Sequence, residues 1–294
     1  MKSNYIEFKK QRELGEILSD TFAFFRNEFK PFFNTFFKIV GPFLAVMVVS
    51  LVLYLYFAGN TFNLLLLDSS MDVANFTTIA LLGLVYILSI VAVYTMSQST
   101  VLHYIKSYSN GKGNTNFETI RKEVYDTFWS FIGLGIMVGL SCLVGFMLCI
   151  IPGIYLYVPL SLAFCILVFN RMNASDAYSY SFNLVKDEWW MTFATMFIIG
   201  IIIGIATYVF AIPTAIYQWI KMGIFSGEID AEGVMDIFKD PIYILLNVIG
   251  TVAQFLLNLI SIIAGAFIYF NLNEKKNFTG TYERIENLGK IRDN

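Results

Sequence analysis

The chain has 294 residues, of which 57% are hydrophobic and only 14% charged, with a mean hydropathy of +0.64; soluble domains carry about 25% charged residues. That balance excludes a water-soluble core and assigns the chain to lipid. The formal charge of −2 gives no reason to expect nucleic acid as a partner, and a single histidine, His103, leaves little room for a histidine-rich metal site.

Residues 1–33 are charged, and apolar side chains recur at helical spacing through them into the first span: Leu14, Leu18, Phe22, Phe25, Phe29, Phe32 and Phe36. Such a helix, apolar on one face and charged on the other just before a span, is expected to lie in the cytoplasmic membrane interface. There Lys9, Lys10 and Arg12 are expected to meet anionic headgroups. Spans follow at about 36–57 and 78–104.

From Thr127 to Asn170 no residue is charged. A transmembrane helix needs about 20 apolar residues, so this run crosses twice, at about 128–151 and 153–170. Pro152 suits the first turn of a new helix and Gly153 supplies backbone freedom, so "IPG" reads as a tight hairpin turn, while Pro159 is expected to kink the second helix. The last spans read as 190–219, with tilt or a break at Pro213, and 242–272, leaving 273–294 as a cytoplasmic tail. The expected fold is therefore an all-α integral membrane protein of six transmembrane helices, a single polytopic domain.

Lys and Arg in short loops stay in the cytoplasm. With both termini inside, every one except Lys221 and Lys239 falls on that side, while the longer outer loops carry Asp68 and Asp72, then Glu228, Asp230, Glu232, Asp236 and Asp240. Cys142, Cys149 and Cys165 lie in apolar stretches as small core residues and form no disulfide framework.

Three spans start alike: "NTFFKIVG" from Asn34, "DTFWSFIG" from Asp126 and "MTFATMFIIG" from Met191. The second and third add GxxxG pairs for helix packing, Gly135 with Gly139 and Gly200 with Gly204. Each is preceded by an amphipathic stretch, in the third case Tyr178, Phe182, Val185 and Trp189. The chain thus reads as three parallel units of cytoplasmic interfacial helix plus helical hairpin, which disfavours the inverted repeats of many transporters.

Ionisable residues at membrane depth mark ion and proton paths, and no span has one near its centre. Lys38 and His103 read as boundary residues, the one snorkelling and the other solvated. The sharpest polar feature is in the last span, where Asn247, Thr251, Gln254, Asn258 and Ser261 share one helix face. It reads either as interhelical hydrogen bonding or as the lining of a polar cavity. A second cluster, "YTMSQST" from Tyr94, winds around its helix. No catalytic set, no metal site and no cofactor is expected.

The segments "LGEILSDTFAFFRNEFKPFF", "IPGIYLYVPLSLAFCILVFN" and "SDAYSYSFNLVKDEWWMTF" resemble a group of bacterial six-span proteins related to the membrane domain attached to some glycerophosphodiester phosphodiesterases. The resemblance covers nearly the whole chain and implies an integral membrane fold with interfacial helices, and no assigned activity. Some relatives carry the label β-carotene monooxygenase, which one histidine does not support, because carotenoid-cleaving enzymes hold iron through several. The expected role is a non-enzymatic inner-membrane protein that binds lipid, including anionic headgroups, or a membrane-protein or cytoplasmic enzyme partner. A permease using the Asn247–Ser261 face is the alternative, and a membrane enzyme acting on a lipid the third.

Overall fold

The structure, a computed structural model, describes residues 5–67, 73–224 and 237–292, and the side chains of all but 59–67, 73–75 and 287–292 among them. Asp68, Asp72, Glu228, Asp230, Glu232 and Asp236, expected in outer loops, lie outside the described residues. All regular elements among the described residues are helical: α1 (Leu14–Asn27), α2 (Phe29–Leu67), α3 (Val73–Asn110), α4 (Phe117–Leu148), α5 (Ile150–Ser161), α6 (Ala163–Phe169), α7 (Ala174–Val185), α8 (Trp189–Lys221), α9 (Pro241–Asn277) and α10 (Thr279–Arg292). Six helical stretches are long and apolar enough to cross a membrane: Phe29–Ala58, Phe76–Asn110, Phe117–Leu148, Ile150–Phe169, Ala174–Lys221 and Pro241–Asn277.

The helix breaks follow local chemistry. Asn116 and Asn173 accept the main-chain N–H of Thr119 (3.1 Å) and Asp176 (2.8 Å), capping α4 and α7. Between α4 and α5 the chain turns at Cys149, which is extended, and Pro152 stands in the first turn of α5, where a missing N–H costs nothing. Gly153 has a different role from the expected one. It lies inside α5, and a Cβ there would meet the Phe146 ring at 2.4 Å, so glycine permits close helix approach rather than the turn. Past Pro159 the helix is interrupted at Leu162 and resumes as α6, whereas α8 runs unbroken through Pro213.

Only the first and third units have a separate helix before the span. Glu28 separates α1 from α2, and the single 3-10 turn Lys186–Glu188 separates α7 from α8. The helix expected before the second hairpin is instead the first part of α4, because no glycine or proline interrupts residues 117–132.

Contacts divide the chain into two units. The first comprises Met1–Ile39, Thr95–Ile201 and Leu259–Asn294. At its centre Phe8 is fully buried, its ring stacked on Phe267 at 4.3 Å and edge-on to Phe24, Tyr108 and Phe270. Arg12 anchors the same segment: its side chain is buried, bonds Asp20 (2.9 Å) and the Phe8 carbonyl (2.8 Å), and lies over the Phe267 ring. Lys10 pairs with Asp20 at 3.6 Å, and Lys9 pairs with Glu283. Of the three cations expected at headgroups, Arg12 is buried in the protein, whereas Lys9 and Lys10 keep part of their side chains exposed beside their acids. Glu274 organises the turn into α10 by accepting the N–H groups of Gly280 (2.7 Å) and Thr281 (2.9 Å). A side chain at Gly280 would strike the Lys9 carbonyl, so the tail is packed against the N-terminal segment.

The second unit comprises Val40–Tyr94 and Ile202–Asn258. Within it α2 and α3 meet through Ser50 and Ser89 (3.0 Å between hydroxyls) and through stacked Tyr54 and Tyr86. The α8 and α9 segments approach where Gly250 faces the Phe210 carbonyl, and Asp240 accepts from Tyr217 (2.7 Å) and pairs with Lys221 (3.0 Å). The Tyr217 hydrogen bond, then Lys221, holds the Asp240 carboxyl down to about 2.

Candidate functional site

The row in the last span is placed along α9. Asn247, Thr251, Gln254 and Asn258 belong to the second unit and Ser261 to the first. Gln254 is exposed and the other four are half-buried. Asn247 donates back to the Tyr243 carbonyl (3.1 Å), which satisfies it within its own helix. Thr251, Gln254, Asn258 and Ser261 make no side-chain hydrogen bond among the described residues, so the expected interhelical bonds are absent within the described chain. The glycine pairs also lack an intramolecular partner. At Gly135, Gly139, Gly200 and Gly204 a Cβ would meet nothing within 4 Å, so these glycines do not seat a neighbouring helix of this chain among the described residues.

The stripe on α1 resolves into two faces. Ile17, Thr21, Phe24 and Glu28 point into the first unit and are buried, whereas Phe22 and Phe29 are exposed and Leu14, Leu18 and Phe25 half-buried. A helix carrying apolar residues on two sides has one face for the protein and one left over. The exposed face continues into α2 as a ladder of rings, Phe25 with Phe29 and Phe33, then Phe33 with Phe37. α7 repeats the arrangement with Ala177, Ser181 and Leu184 buried and Tyr178 and Phe182 half-buried.

Each span start combines exposed rings with exposed cations that have no ion pair among the described residues. Arg26 and Lys30 flank Phe29; Arg121 and Lys122 stand one turn before Tyr125 and two turns before Trp129, the latter 78% exposed; and Lys186 precedes Trp190, 76% exposed. Lys38 lies over the Phe117 ring at 5.3 Å. Aromatic side chains beside long basic ones are what a membrane–water interface selects, since both have an apolar body and a polar end.

His103 overturns its expected solvation. It is 2% exposed and is the centre of a polar network between α3 and α4. Its Nδ1 lies 2.9 Å from Glu123 Oε2 and its Nε2 3.1 Å from the Thr127 hydroxyl. Lys106 donates to both Glu123 oxygens (3.1 and 3.0 Å), and Ser99 lies 3.3 Å from Thr127. Thus Ser99 and His103, one turn apart on α3, face Glu123 and Thr127, one turn apart on α4. The "YTMSQST" cluster winds around α3 because that stretch is packed on several sides: Ser97 and Thr100 are buried elsewhere and their hydroxyls have no partner among the described residues.

The signal that Glu123 belonged to a set was present in the chain. Glu123 and Glu188 each stand four residues before the threonine of a Thr-Phe pair, Thr127 and Thr192. The imidazole order resembles that of hydroxyl–histidine–carboxylate enzymes, but the Thr127 hydroxyl also lies 2.8 Å from the Glu123 main-chain carbonyl of its own helix, a second acceptor for its one hydrogen. No group of three metal-ligating side chains occurs among the described residues.

No family model, curated protein or solved structure matches the chain.

Proposed function

We propose that this multi-pass helical membrane protein resides in a bacterial inner membrane with both termini in the cytoplasm, and binds anionic lipid there in an accessory or scaffold role, without catalysis. The observation that carries the reading is the threefold pairing of exposed aromatic rings with exposed cations that have no ion pair among the described residues, Arg26 and Lys30, Arg121 and Lys122, and Lys186. Each such cation near an anionic surface contributes about 1 kcal/mol. The positive-inside bias of Lys and Arg supports the orientation, and the resemblance to the six-span group supports the bacterial setting.

The test uses the full-length protein in nanodiscs of mixed anionic and zwitterionic phospholipid, with lipid retention read by native mass spectrometry. Replacing Arg26, Lys30, Arg121 and Lys122 together with Gln is expected to lower anionic-lipid retention at least tenfold while zwitterionic retention holds. Equal retention of the two lipid classes by the unaltered protein would reject the reading.

A permease is a second reading, favoured by the exposed Gln254 and by Thr251 and Asn258 beside it on α9, whose side chains make no hydrogen bond among the described residues. In lipid alone such a row is costly, whereas along a water-filled path it is solvated.

A further inference from the structure

Two arrangements of hydrogens are open to the groups around His103. A neutral imidazole has one N–H and one lone pair, and both ring nitrogens here have a partner at hydrogen-bonding distance. Glu123 is an acceptor, so Nδ1 must carry the proton facing it. The Nε2 lone pair then needs a donor, and the Thr127 hydroxyl is its partner. Yet the same hydroxyl lies 2.8 Å from the Glu123 main-chain carbonyl, which takes its hydrogen if Nε2 is itself protonated.

Both arrangements satisfy every group and differ by one proton. In the first, Nδ1–H donates to the Glu123 carboxylate, the Thr127 O–H donates to Nε2, and Ser99 donates to Thr127. In the second, an added proton sits on Nε2 and is donated to Thr127 Oγ, whose own hydrogen turns back to the Glu123 carbonyl. Nothing moves except a hydroxyl rotor. The charged groups that face the ring are Glu123 from α4 and Lys106 from α3 itself; Lys106 opposes the added charge and the carboxylate favours it. The Glu123 side chain is 30% exposed, which gives a proton a way in from solvent to an otherwise buried ring.

We propose that His103, Glu123 and Thr127 form a binding site for one proton at the α3–α4 contact, with the Thr127 hydroxyl turning between ring and main chain as the proton arrives and leaves. The site is independent of lipid binding at the span starts. Its carboxylate, Glu123, stands within a turn of Arg121 and Lys122 on α4.

Because the chain has one histidine, nitrogen-15 labelling of histidine gives a nuclear magnetic resonance spectrum of this ring alone. The full-length protein in nanodiscs would be titrated from about pH 8.5 to about pH 3.5, a range that brackets histidine ionisation. Expected is the Nδ1–H tautomer at high pH and a doubly protonated ring at low pH, in a reversible single-proton step. Glu123→Gln is expected to lower proton affinity at least tenfold and to release the tautomer preference. Thr127→Ser keeps the rotor and should keep the unaltered titration, while Thr127→Val should shift it by a factor of three or more. A ring that remains neutral throughout, or the Nε2–H tautomer at high pH, overturns the proposal. So does a Thr127→Val titration identical to the Thr127→Ser one, a comparison that stands even if Glu123→Gln fails to fold.

Discussion

The starts of α4 and α8 carry the same letters, an acid, three residues and Thr-Phe, followed by a GxxxG pair, yet they do different things. At α4, Glu123 and Thr127 meet His103, Lys106 and Ser99 in a continuous polar network. At α8, Glu188 pairs with Lys275 (2.8 Å), both about one-third exposed, and Thr192 is 1% exposed with a hydroxyl that has no partner among the described residues. The repeated pattern thus supplies an acid and a hydroxyl one turn apart on a helix. What it becomes depends on the helix opposite, and α3 brings an imidazole where the other start meets a lysine.

The largest contrast is expected from deleting the two acids. Glu123→Ala leaves both His103 and Lys106 without their carboxylate, at a cost of about 2 kcal/mol once the partial exposure of Glu123 is allowed for. Glu188→Ala removes a solvent-screened pair and should cost less than about 1 kcal/mol. Unfolding in mixed detergent and dodecyl sulfate micelles reads both, and equal losses would erase the distinction between the two starts.

Next come the threonines, where the signs should differ. Thr127→Val strips a hydroxyl bonded to Ser99, His103 and its own helix and should destabilise by about 1 kcal/mol. Thr192→Val exchanges an unbonded buried hydroxyl for a methyl of the same shape and should stabilise by up to about 1 kcal/mol. If Thr192→Val destabilises instead, its hydroxyl has a partner and the two starts are more alike than they look.

The smallest effect is expected from Lys275→Met. It removes the ion-pair partner of a one-third exposed acid, so unfolding should change by no more than about 0.5 kcal/mol, and less in high salt.

Much of the fold was legible in residue chemistry. A charge-free run twice the length of one crossing has to turn, and the turn falls at Cys149 beside Pro152. Pro159, expected to kink its helix, stands just before the interruption at Leu162, for a reason that acts within one turn. Less of the site was legible. Arg12 looked like part of a surface patch but is buried against Asp20, eight residues on, and the main-chain carbonyls of Glu7, Phe8 and Lys10. The four glycines of the GxxxG pairs matched a packing pattern and have no neighbour within 4 Å among the described residues, because a pattern states what a helix surface permits and not what is placed against it.

Sequence by itself determined the class of protein and the helices long enough to span, since both follow from apolar length and from the loss of charge over that length. Only the tertiary structure decided that α4 starts its span without a separate helix, that α1 turns one apolar face inward and leaves another outward, and that the single histidine is buried between an acid and a hydroxyl. Helical periodicity states which residues share a face, and it is silent on which helix that face will meet; His103 and Glu123 are twenty residues apart along the chain and in hydrogen-bonding contact across it.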